Sequence, residues 1–416
     1  MAPRPTGHRS TTPPSDDTPG GTDAAGARPD PAPEVAKIVE RVRALGPTIA
    51  ERAGEAEARR QPVDEVVEAL AGTGVFRCLV PRRFGGFEID NDTFIDIGMS
   101  VGEADTSTGW ITTFYTEHNW MFAQFPPEAQ EEIFGTQPYI LAPASISPTG
   151  RATVDGNGYQ LTGRWSWATG VMHADWVMLN GIVEGDVPEP RLFIAPVDAI
   201  TVDEVWDAAG MAGTGSNDMV AENLFIPAHR SQALADMAVG RSSGAAWLDS
   251  PVYRQPMMPF LAMTAAIPAL GAARRAVDLF RQRLGTRSIY GTFAAQAERG
   301  SAQMRLAHAS VRAEEAEILL RAVGRELNAW GREEEPCPVE HRARLRLRIA
   351  HVVEQCRDVV RTIMEASGAG AHLRSNPMQR IHRDVHTLSC HTVFDLDIGS
   401  ENYGRVLLGL DPVAAT

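Results

Sequence analysis

Positive charge is scarce in this sequence. Its 416 residues include 39 Lys and Arg against 53 Asp and Glu, so the formal net charge is −14 at pH 7. A nucleic-acid-binding protein needs a basic surface that displaces counterions from phosphates, and anionic lipid also attracts basic segments. The charge balance therefore predicts that neither nucleic acid nor a membrane is a partner.

Long apolar runs and paired cysteines are missing as well. No run approaches the roughly 20 apolar residues that cross a bilayer, and the amino terminus has no apolar core of a secretion signal. The four cysteines lie far apart and form no C-x-x-C pair. We expect reduced thiols in a cytoplasmic protein, with neither a disulfide framework nor a zinc cage.

Two common catalytic signatures are absent from the sequence. It contains no G-x-x-x-x-G-K-[ST] phosphate loop and no H-E-x-x-H zinc motif. Gly368-x-Gly370 lacks the third glycine of a dinucleotide fingerprint and follows a predicted helix. A nucleotide-like cofactor would have to be held in another way.

The sequence pattern changes along the chain in three steps. Residues 1–34 contain no Val, Ile, Leu or Phe and eight prolines, which predicts a disordered tail, because such a segment buries too little apolar surface to offset its ordering entropy. Apolar residues at helical spacing predict a helical domain over 35–138. Short alternating runs between Gly and Pro predict a β domain over 139–232. Long Ala-, Leu- and Arg-rich segments predict a helical bundle over 233–416.

The predicted β domain has the size of a small barrel or sandwich. Asn157-Gly158 predicts a two-residue hairpin turn between residues 152–154 and 159–161. Residues 176–183 and 191–197 are predicted to form further strands.

Five segments, in their order and spacing, resemble a known family. They are PRRFGG at 81–86, DTSTGW at 105–110, WSWATG at 165–170, GMAGTGS at 210–216, and RSIYG at 287–291 with Gln296 and Gln303. Together they resemble the acyl-CoA dehydrogenase superfamily, and more closely its flavin-dependent monooxygenases, the oxygenase components of two-component hydroxylases. The resemblance covers nearly everything after about Val35. It implies a mainly α fold with a β insert: an N-terminal helical domain, a central β-barrel or sandwich, and a C-terminal four-helix bundle.

The resemblance also implies a cofactor and partners. A separate NAD(P)H:flavin reductase would supply reduced flavin, FMNH2 or FADH2. With O2 this flavin would form a C4a-hydroperoxide that hydroxylates an aromatic, phenolic or polyketide-like molecule. The family packs four subunits, so a homotetramer is expected. By their places in the family's motifs, the flavin-binding residues are Trp110, Ser145, Ser147, Trp167, Ala168, Thr169, Arg287, Gly370, Ala371 and Thr392.

One segment favours oxygenation over dehydrogenation. Arg383-Asp384 resembles the Arg-Asp pair near the carboxyl end of this fold. Where many dehydrogenases then carry the Glu that abstracts the substrate α-proton, this chain has His391 between Cys390 and Thr392. A thioester α-proton is weakly acidic and needs a positioned base, so the change counts against dehydrogenation.

The same resemblance implies three catalytic candidates. His391 would lie beside the flavin and the substrate, where it could accept a proton from a phenol or donate a hydrogen bond to the oxygenated flavin. His118 matches a second family histidine that faces the substrate. Ser145 matches a serine that hydrogen-bonds the flavin or a substrate hydroxyl.

Several alternatives stay open from the sequence. A dehydrogenase could carry its base on another helix, for instance at Glu298, and N-oxygenation of an amino sugar occurs on the same fold. His382 and His386, four apart on a predicted helix, could bind zinc or iron, but without a second ligand cluster we predict no metal. A scaffold that had lost its cofactor would bind no reduced flavin. Apolar pocket candidates, which core packing explains equally well, are Met257, Met258, Phe260 and Phe293.

Overall fold

The computed structural model describes residues 33–288 and 295–416, and its first block is helical. It contains α1 (Pro33–Ala44), α2 (Gly46–Arg59), α3 (Asp64–Thr73), α4 (Asn91–Ala104), α5 (Thr106–Phe122) and α6 (Pro127–Phe134). Apart from Pro33 and Glu34, which begin α1, the predicted tail lies outside the described residues.

The second block is a sheet. Its strands are β1 (Ala144–Asp155), β2 (Gly158–Ala168), β3 (Trp176–Val183), β4 (Glu189–Pro196), β5 (Thr201–Asp203), β6 (Asn217–Pro227) and β7 (Ser231–Ala233). They form one seven-stranded sheet in the order β5-β6-β2-β1-β3-β4-β7. Because β1 pairs in parallel with β3 and antiparallel with β2, the sheet is mixed.

The predicted hairpin joins β1 and β2, but its loop lies one residue earlier than predicted. Asp155 pairs with Gly158, so the two loop residues are Gly156 and Asn157. Gly156 has a φ of +54°, a left-handed conformation that glycine adopts without a Cβ clash. The Asn157-Gly158 prediction was therefore wrong by one residue. The left-handed residue is the first of the two loop residues, and that residue is Gly156.

The third block is helical again. It contains α7 (Leu234–Ala238), α8 (Ser243–Leu248), α9 (Met257–Thr286), α10 (Gly300–Trp330), α11 (Val339–Ser367), α12 (Pro377–Leu388) and α13 (Leu396–Leu407). The long helices α9, α10 and α11 pack against one another as a bundle. Together with the sheet, they confirm the expected fold class.

Helix α9 is long and apolar enough to cross a membrane by length and composition, which the sequence analysis did not anticipate. Almost all of its apolar window is buried within the fold, where α4, α5, α10 and α11 cover it. It is therefore the central helix of the bundle. Met257 and Phe260 belong to this buried core, whereas Phe293 lies outside the described residues.

Helix α5 runs through the interior between α4 and α9. The Asp105 carboxylate caps its first turn by accepting the Thr108 N–H at 2.9 Å, as Asp does at helix N-termini. Asp105 also lies 3.5 Å from the Arg380 guanidinium of α12. These contacts hold the start of α5 next to α12, which precedes the candidate residue His391.

Candidate active site

One face of α5 carries three aromatic rings. Trp110, Phe114 and His118 are four residues apart and therefore share a helix face. The Trp110 and Phe114 rings are stacked, with centroids 4.4 Å apart, and the Phe114 and His118 centroids are 5.5 Å apart. His391, from the segment after α12, approaches Trp110 edge-on with centroids 5.6 Å apart. We call His391, Trp110, Phe114 and His118, in this order, the aromatic row.

Phe114 is the partly exposed residue among the three rings on α5. Every other residue of α5 is buried, and Phe114 alone in that helix is half-buried. A large apolar side chain that is only partly covered inside an otherwise enclosed helix marks a surface that a ligand ring can contact. Phe114 was not among the residues predicted from sequence, although its spacing of four residues from both Trp110 and His118 was a usable signal.

The hydrogen bond of His118 defines its tautomer. Its Nδ1 lies within hydrogen-bond distance of the Ala142 carbonyl oxygen, and a carbonyl oxygen can only accept, so Nδ1 carries the proton. Burial lowers the pKa of His118 to about 4, although the Ala142 carbonyl opposes that shift. The ring is therefore neutral at pH 7, and its Nε2 is a hydrogen-bond acceptor.

His391 has the opposite tautomer. Its Nδ1 accepts the Val393 N–H at 3.3 Å, so the proton of the neutral ring is on Nε2. The side chain is exposed by surface area, yet surrounding protein atoms desolvate it and, with the charge of Arg346, lower its pKa to about 4. His391 can thus donate a hydrogen bond from Nε2 at pH 7.

A chain of hydroxyl groups links Trp110 to the sheet. Trp110 Nε1 donates to Thr169 Oγ1 at 3.1 Å, Thr169 contacts Ser216 at 3.1 Å, and Ser216 contacts Thr214 at 2.7 Å. Thr214 donates its only proton to the Met211 carbonyl, so each preceding hydroxyl must donate to the next one. The Thr169 hydroxyl can therefore only accept from a further ligand. Thr214 and Ser216 were not singled out as hydrogen-bonding residues from sequence.

The strands supply the other predicted residues. Ser145, near the start of β1, is buried, and Ser147 is exposed. At the end of β2, Ala168 is buried but Trp167 is 66% exposed. Trp167 has a left-handed φ of +64°, and its N–H donates to Asp218 at 3.2 Å. Such a conformation is costly for a bulky residue, and here it keeps the indole on the surface.

A second group of predicted residues surrounds a cavity of about 490 Å³ where the ends of α9 and α11 meet the start of α12. Gly370 and Ala371 line it, together with Arg283, whose Nε is buried without a hydrogen-bond partner in the part of the chain described. Arg287 donates to the Ser367 carbonyl at 2.9 Å. The rest of its motif, residues 289–291, lies outside the described residues. Thr392 is exposed next to His391.

The Arg383-Asp384 pair has structural contacts. Asp384 Oδ1 accepts the Met211 N–H at 2.6 Å, and Arg383 donates to the Ala209 carbonyl and pairs with Glu57. Burial and the nearby Asp105 carboxylate raise the pKa of Asp384. The pair joins α12 to the loop that carries the hydroxyl chain.

The histidines considered as metal ligands contact each other. The His382 and His386 rings have centroids 4.2 Å apart, and His386 Nδ1 bonds the His382 carbonyl. In residues 33–288 and 295–416 no three His, Cys, Asp or Glu side chains are grouped as a metal site.

The described residues fit a flavin. An isoalloxazine ring needs flat apolar surface and hydrogen-bond partners at its polar edge. Trp167 offers exposed aromatic surface at the end of β2, two residues before Thr169, and Arg283 offers a buried guanidinium nitrogen without a partner among the described residues. Imidazole nitrogens of both kinds, donor and acceptor, lie at the two ends of the row.

The chain is similar to known proteins over most of its length. The family "Acyl-CoA dehydrogenase, C-terminal domain" matches residues 263–396. A pigment production hydroxylase from a Rhodococcus species is 35% identical over 378 residues, covering 90% of this chain and 97% of that protein. The oxygenase subunit HsaA of a flavin-dependent monooxygenase from Rhodococcus jostii is 32% identical, covering 91% of this chain and all of that protein.

Solved structures are similar over the same length. A 3-HSA hydroxylase from Rhodococcus has a TM-score of 0.87 at 31% identity, covering 91% of this chain and 98% of that one. XiaF from a Streptomyces species, solved in complex with FADH2 and glycerol, has a TM-score of 0.84 at 26% identity, covering 91% and 97%.

Proposed function

The chain belongs to the flavin-dependent monooxygenases that are built on the acyl-CoA dehydrogenase fold, and we propose that it hydroxylates a small aromatic compound that carries a phenolic hydroxyl group. It is an oxidoreductase that uses reduced flavin and O2. The relatives include hydroxylases named for resorcinol and for p-hydroxyphenylacetate, and the aromatic row gives this chain a place for such a ring.

The observation that carries the proposal is the opposite polarity of the two imidazoles. His118 accepts at Nε2, and His391 donates from Nε2. The half-buried Phe114 lies between them in the row. A phenol that stacks on Phe114 can donate its O–H to His118, which makes its ortho carbon more electron-rich.

His391 then acts at the other end of the row. Its Nε2–H can stabilise negative charge on an oxygen atom next to the substrate ring. With a pKa of about 4 the ring is neutral at pH 7, and a neutral imidazole carries one N–H. Of the two roles that the sequence left open for His391, this tautomer supports the donor role. The base role passes to His118.

For the cofactor, we propose that Trp110, Ser145, Trp167, Ala168 and Thr169 hold the flavin ring. Ser147, Thr392, Arg287, Gly370 and Ala371 are proposed to contact the rest of the flavin. When bound, reduced flavin would supply two electrons, so that one oxygen atom of O2 enters the substrate and the other leaves as water. The buried hydroxyl chain behind Thr169 excludes water from that side of the site.

Dehydrogenation has little support from the described residues. Glu298, the alternative base considered from sequence, is exposed in the turn before α10. The donor tautomer of His391 cannot abstract an α-proton at Nε2, because that nitrogen already carries one.

The partners follow from the kind of enzyme. The relatives are named oxygenase subunits or components, so reduced flavin comes from a separate reductase. We further propose NAD(P)H as its electron source, a homotetramer as the assembly and the cytoplasm as the compartment. The four cysteines, all without a disulfide partner, support a reducing compartment.

The test is an anaerobic titration with FMNH2 and FADH2, followed by mixing with 18O2. With a phenol present we expect product that contains one 18O atom and little hydrogen peroxide. The methyl ether of the same phenol is the control, because it has no O–H for His118 and should give mainly peroxide.

Three outcomes would contradict the proposal. Failure to bind reduced flavin would favour a scaffold, bleaching of bound oxidised flavin by an acyl-CoA would favour a dehydrogenase, and 18O on the nitrogen of an amino sugar would favour N-oxygenation.

A further inference from the structure

A buried arginine lies behind the turn that carries His391. Arg346, in α11, is only 8% exposed. Its Nη1 donates to the Ala415 carbonyl, and its Nη2 lies 3.5 Å from the Val393 carbonyl. Its Nε is buried and has no hydrogen-bond partner within residues 33–288 and 295–416. A guanidinium that has lost this much hydration depends on the few acceptors it reaches.

Val393 connects this arginine to the imidazole. The Val393 N–H donates to His391 Nδ1 at 3.3 Å, while the Val393 carbonyl faces Arg346. The short turn Thr392–Phe394 is closed by the Phe394 N–H, which donates to the His391 carbonyl at 2.9 Å. The orientation of the Val393 residue therefore determines which nitrogen of His391 carries the proton.

We propose that Arg346 is a positioning residue for the oxygenation reaction: by holding the Val393 carbonyl, it keeps the Val393 N–H on His391 Nδ1 and so keeps the His391 proton on Nε2. This inference rests on the proposed function, which gives the Nε2–H its task. It adds a residue in the bundle, outside the aromatic row, on which coupling of flavin oxidation to hydroxylation depends.

The charge of Arg346 acts in the same direction as its hydrogen bonds. After desolvation, it is the second cause that lowers the pKa of His391. On the other sides of His391, Trp110 and Phe394 are uncharged rings, and Asp395 acts on Arg346. Arg346 thus opposes protonation of Nδ1, which would break the bond from Val393.

The second acceptor of Arg346, the Ala415 carbonyl, belongs to the segment of residues 413–416. Asn402 holds this segment by accepting the N–H groups of Val413 and Ala414 at 2.9 and 3.1 Å. Arg342, one helical turn before Arg346, donates to Thr416 at 3.3 Å and to the Cys337 carbonyl at 2.6 Å. Arg342 therefore holds the same segment through different acceptors, neither of which is Val393, and this makes it the matched control.

The first test measures His391 in the flavin-free chain. Diethyl pyrocarbonate acylates the unprotonated imidazole nitrogen, and mass spectrometry gives its rate at His391 relative to the exposed His308. In the parent chain Nδ1 is covered by the Val393 N–H, so we expect slow modification. In Arg346→Lys, which keeps the charge but cannot reach both carbonyls with a planar fork, we expect the rate to rise about fivefold at pH 7, as both tautomers become populated. Arg342→Met should leave the rate unchanged.

The second test measures coupling. Arg346→Lys should raise hydrogen peroxide release per product by at least about tenfold, because misplacing a catalytic group by about 1 Å costs on the order of 100-fold. Arg346→Met should do the same and also move the pH midpoint of His391 modification upward, because it removes the charge.

Unchanged modification of His391 in both Arg346 variants would overturn the positioning role, whatever the reaction of the enzyme. Altered modification with no oxygenation by the parent chain would instead contradict the proposed function. Equal effects of Arg342→Met and Arg346→Lys would assign the effect to residues 413–416 and not to Val393, which also overturns the proposal.

Discussion

The indole N–H of Trp110 donates to the Thr169 hydroxyl, with the two atoms 3.1 Å apart. This bond joins the aromatic row on α5 to the end of β2, so the helix and the sheet meet at the site. Thr169 donates its own hydroxyl hydrogen to Ser216, so towards Trp110 it acts as the acceptor.

Trp110→Phe tests this junction. The ring can still stack on Phe114, but the donor is lost, which costs about 1 kcal/mol of stability. We expect the dissociation constant for reduced flavin, measured by anaerobic fluorescence titration, to rise several-fold. Trp120→Phe is the control, because it loses a similar bond to the Val252 carbonyl away from the row. Equal flavin affinity in both variants would remove Trp110 from the site.

His391→Ala should uncouple flavin oxidation from hydroxylation, so that peroxide replaces product. His391→Gln should recover part of the coupling, because its amide nitrogen can donate from about the place of Nε2, whereas His391→Asn should not. The measurement is the ratio of product to oxidised flavin for each variant. Full coupling in the Ala variant would reject His391 as the donor.

The free energy of unfolding should depend on pH in a way that reflects the lowered pKa of His118. Its pKa is about 4 in the folded chain and near 6.5 unfolded, so the unfolded chain binds more protons between these values. Stability therefore falls as the pH decreases from about 6.5 to 4. His118→Asn, which keeps a donor for the Ala142 carbonyl, should reduce that fall by up to about 3 kcal/mol. Urea unfolding at several pH values would measure it, and identical slopes would contradict the burial argument.

Asp384 should act in the opposite pH direction. Its pKa is raised in the folded chain, so the folded chain holds a proton that the unfolded chain loses above about pH 4, and stability falls as the pH rises from there. Asp384→Asn keeps an oxygen for the Met211 N–H and should flatten this fall. Asp186→Asn, at an exposed position, is the control. A steeper fall in the Asn variant would show that Asp384 is ionised when folded.

Gly170→Ala tests the residue that follows Thr169. Gly170 has a φ of +72°, and an added Cβ would clash with the Tyr115 hydroxyl oxygen. Since that hydroxyl donates to the Gly170 carbonyl at 2.5 Å, we expect a lower melting temperature and weaker flavin binding. Gly156→Ala has a similar φ but no neighbour within 4 Å, so it should change stability only. Normal flavin binding in Gly170→Ala would contradict the proposed place of Thr169.

Much of the architecture was predictable from local patterns. The strand over residues 176–183 and the helical character of the segments before and after the sheet were predicted from periodicity and breakers alone. The loop of the first hairpin was missed by one residue, because Gly156 and Gly158 both fit a turn and only strand pairing chooses between them. The apolar character of α9 was underestimated, since its membrane-like composition is that of a helix buried on all sides.

The sequence by itself determined the order of helices, sheet and bundle, and it placed an imidazole where related dehydrogenases carry a carboxylate, because both are matters of residue type and spacing along one chain. The tertiary structure alone decided the tautomers. They depend on the Ala142 carbonyl and the Val393 N–H, which backbone folding brings to His118 and His391. Only the three-dimensional packing placed Arg346 behind Val393, since no local pattern marks an arginine that is buried by contacts nearly 50 and 70 residues away.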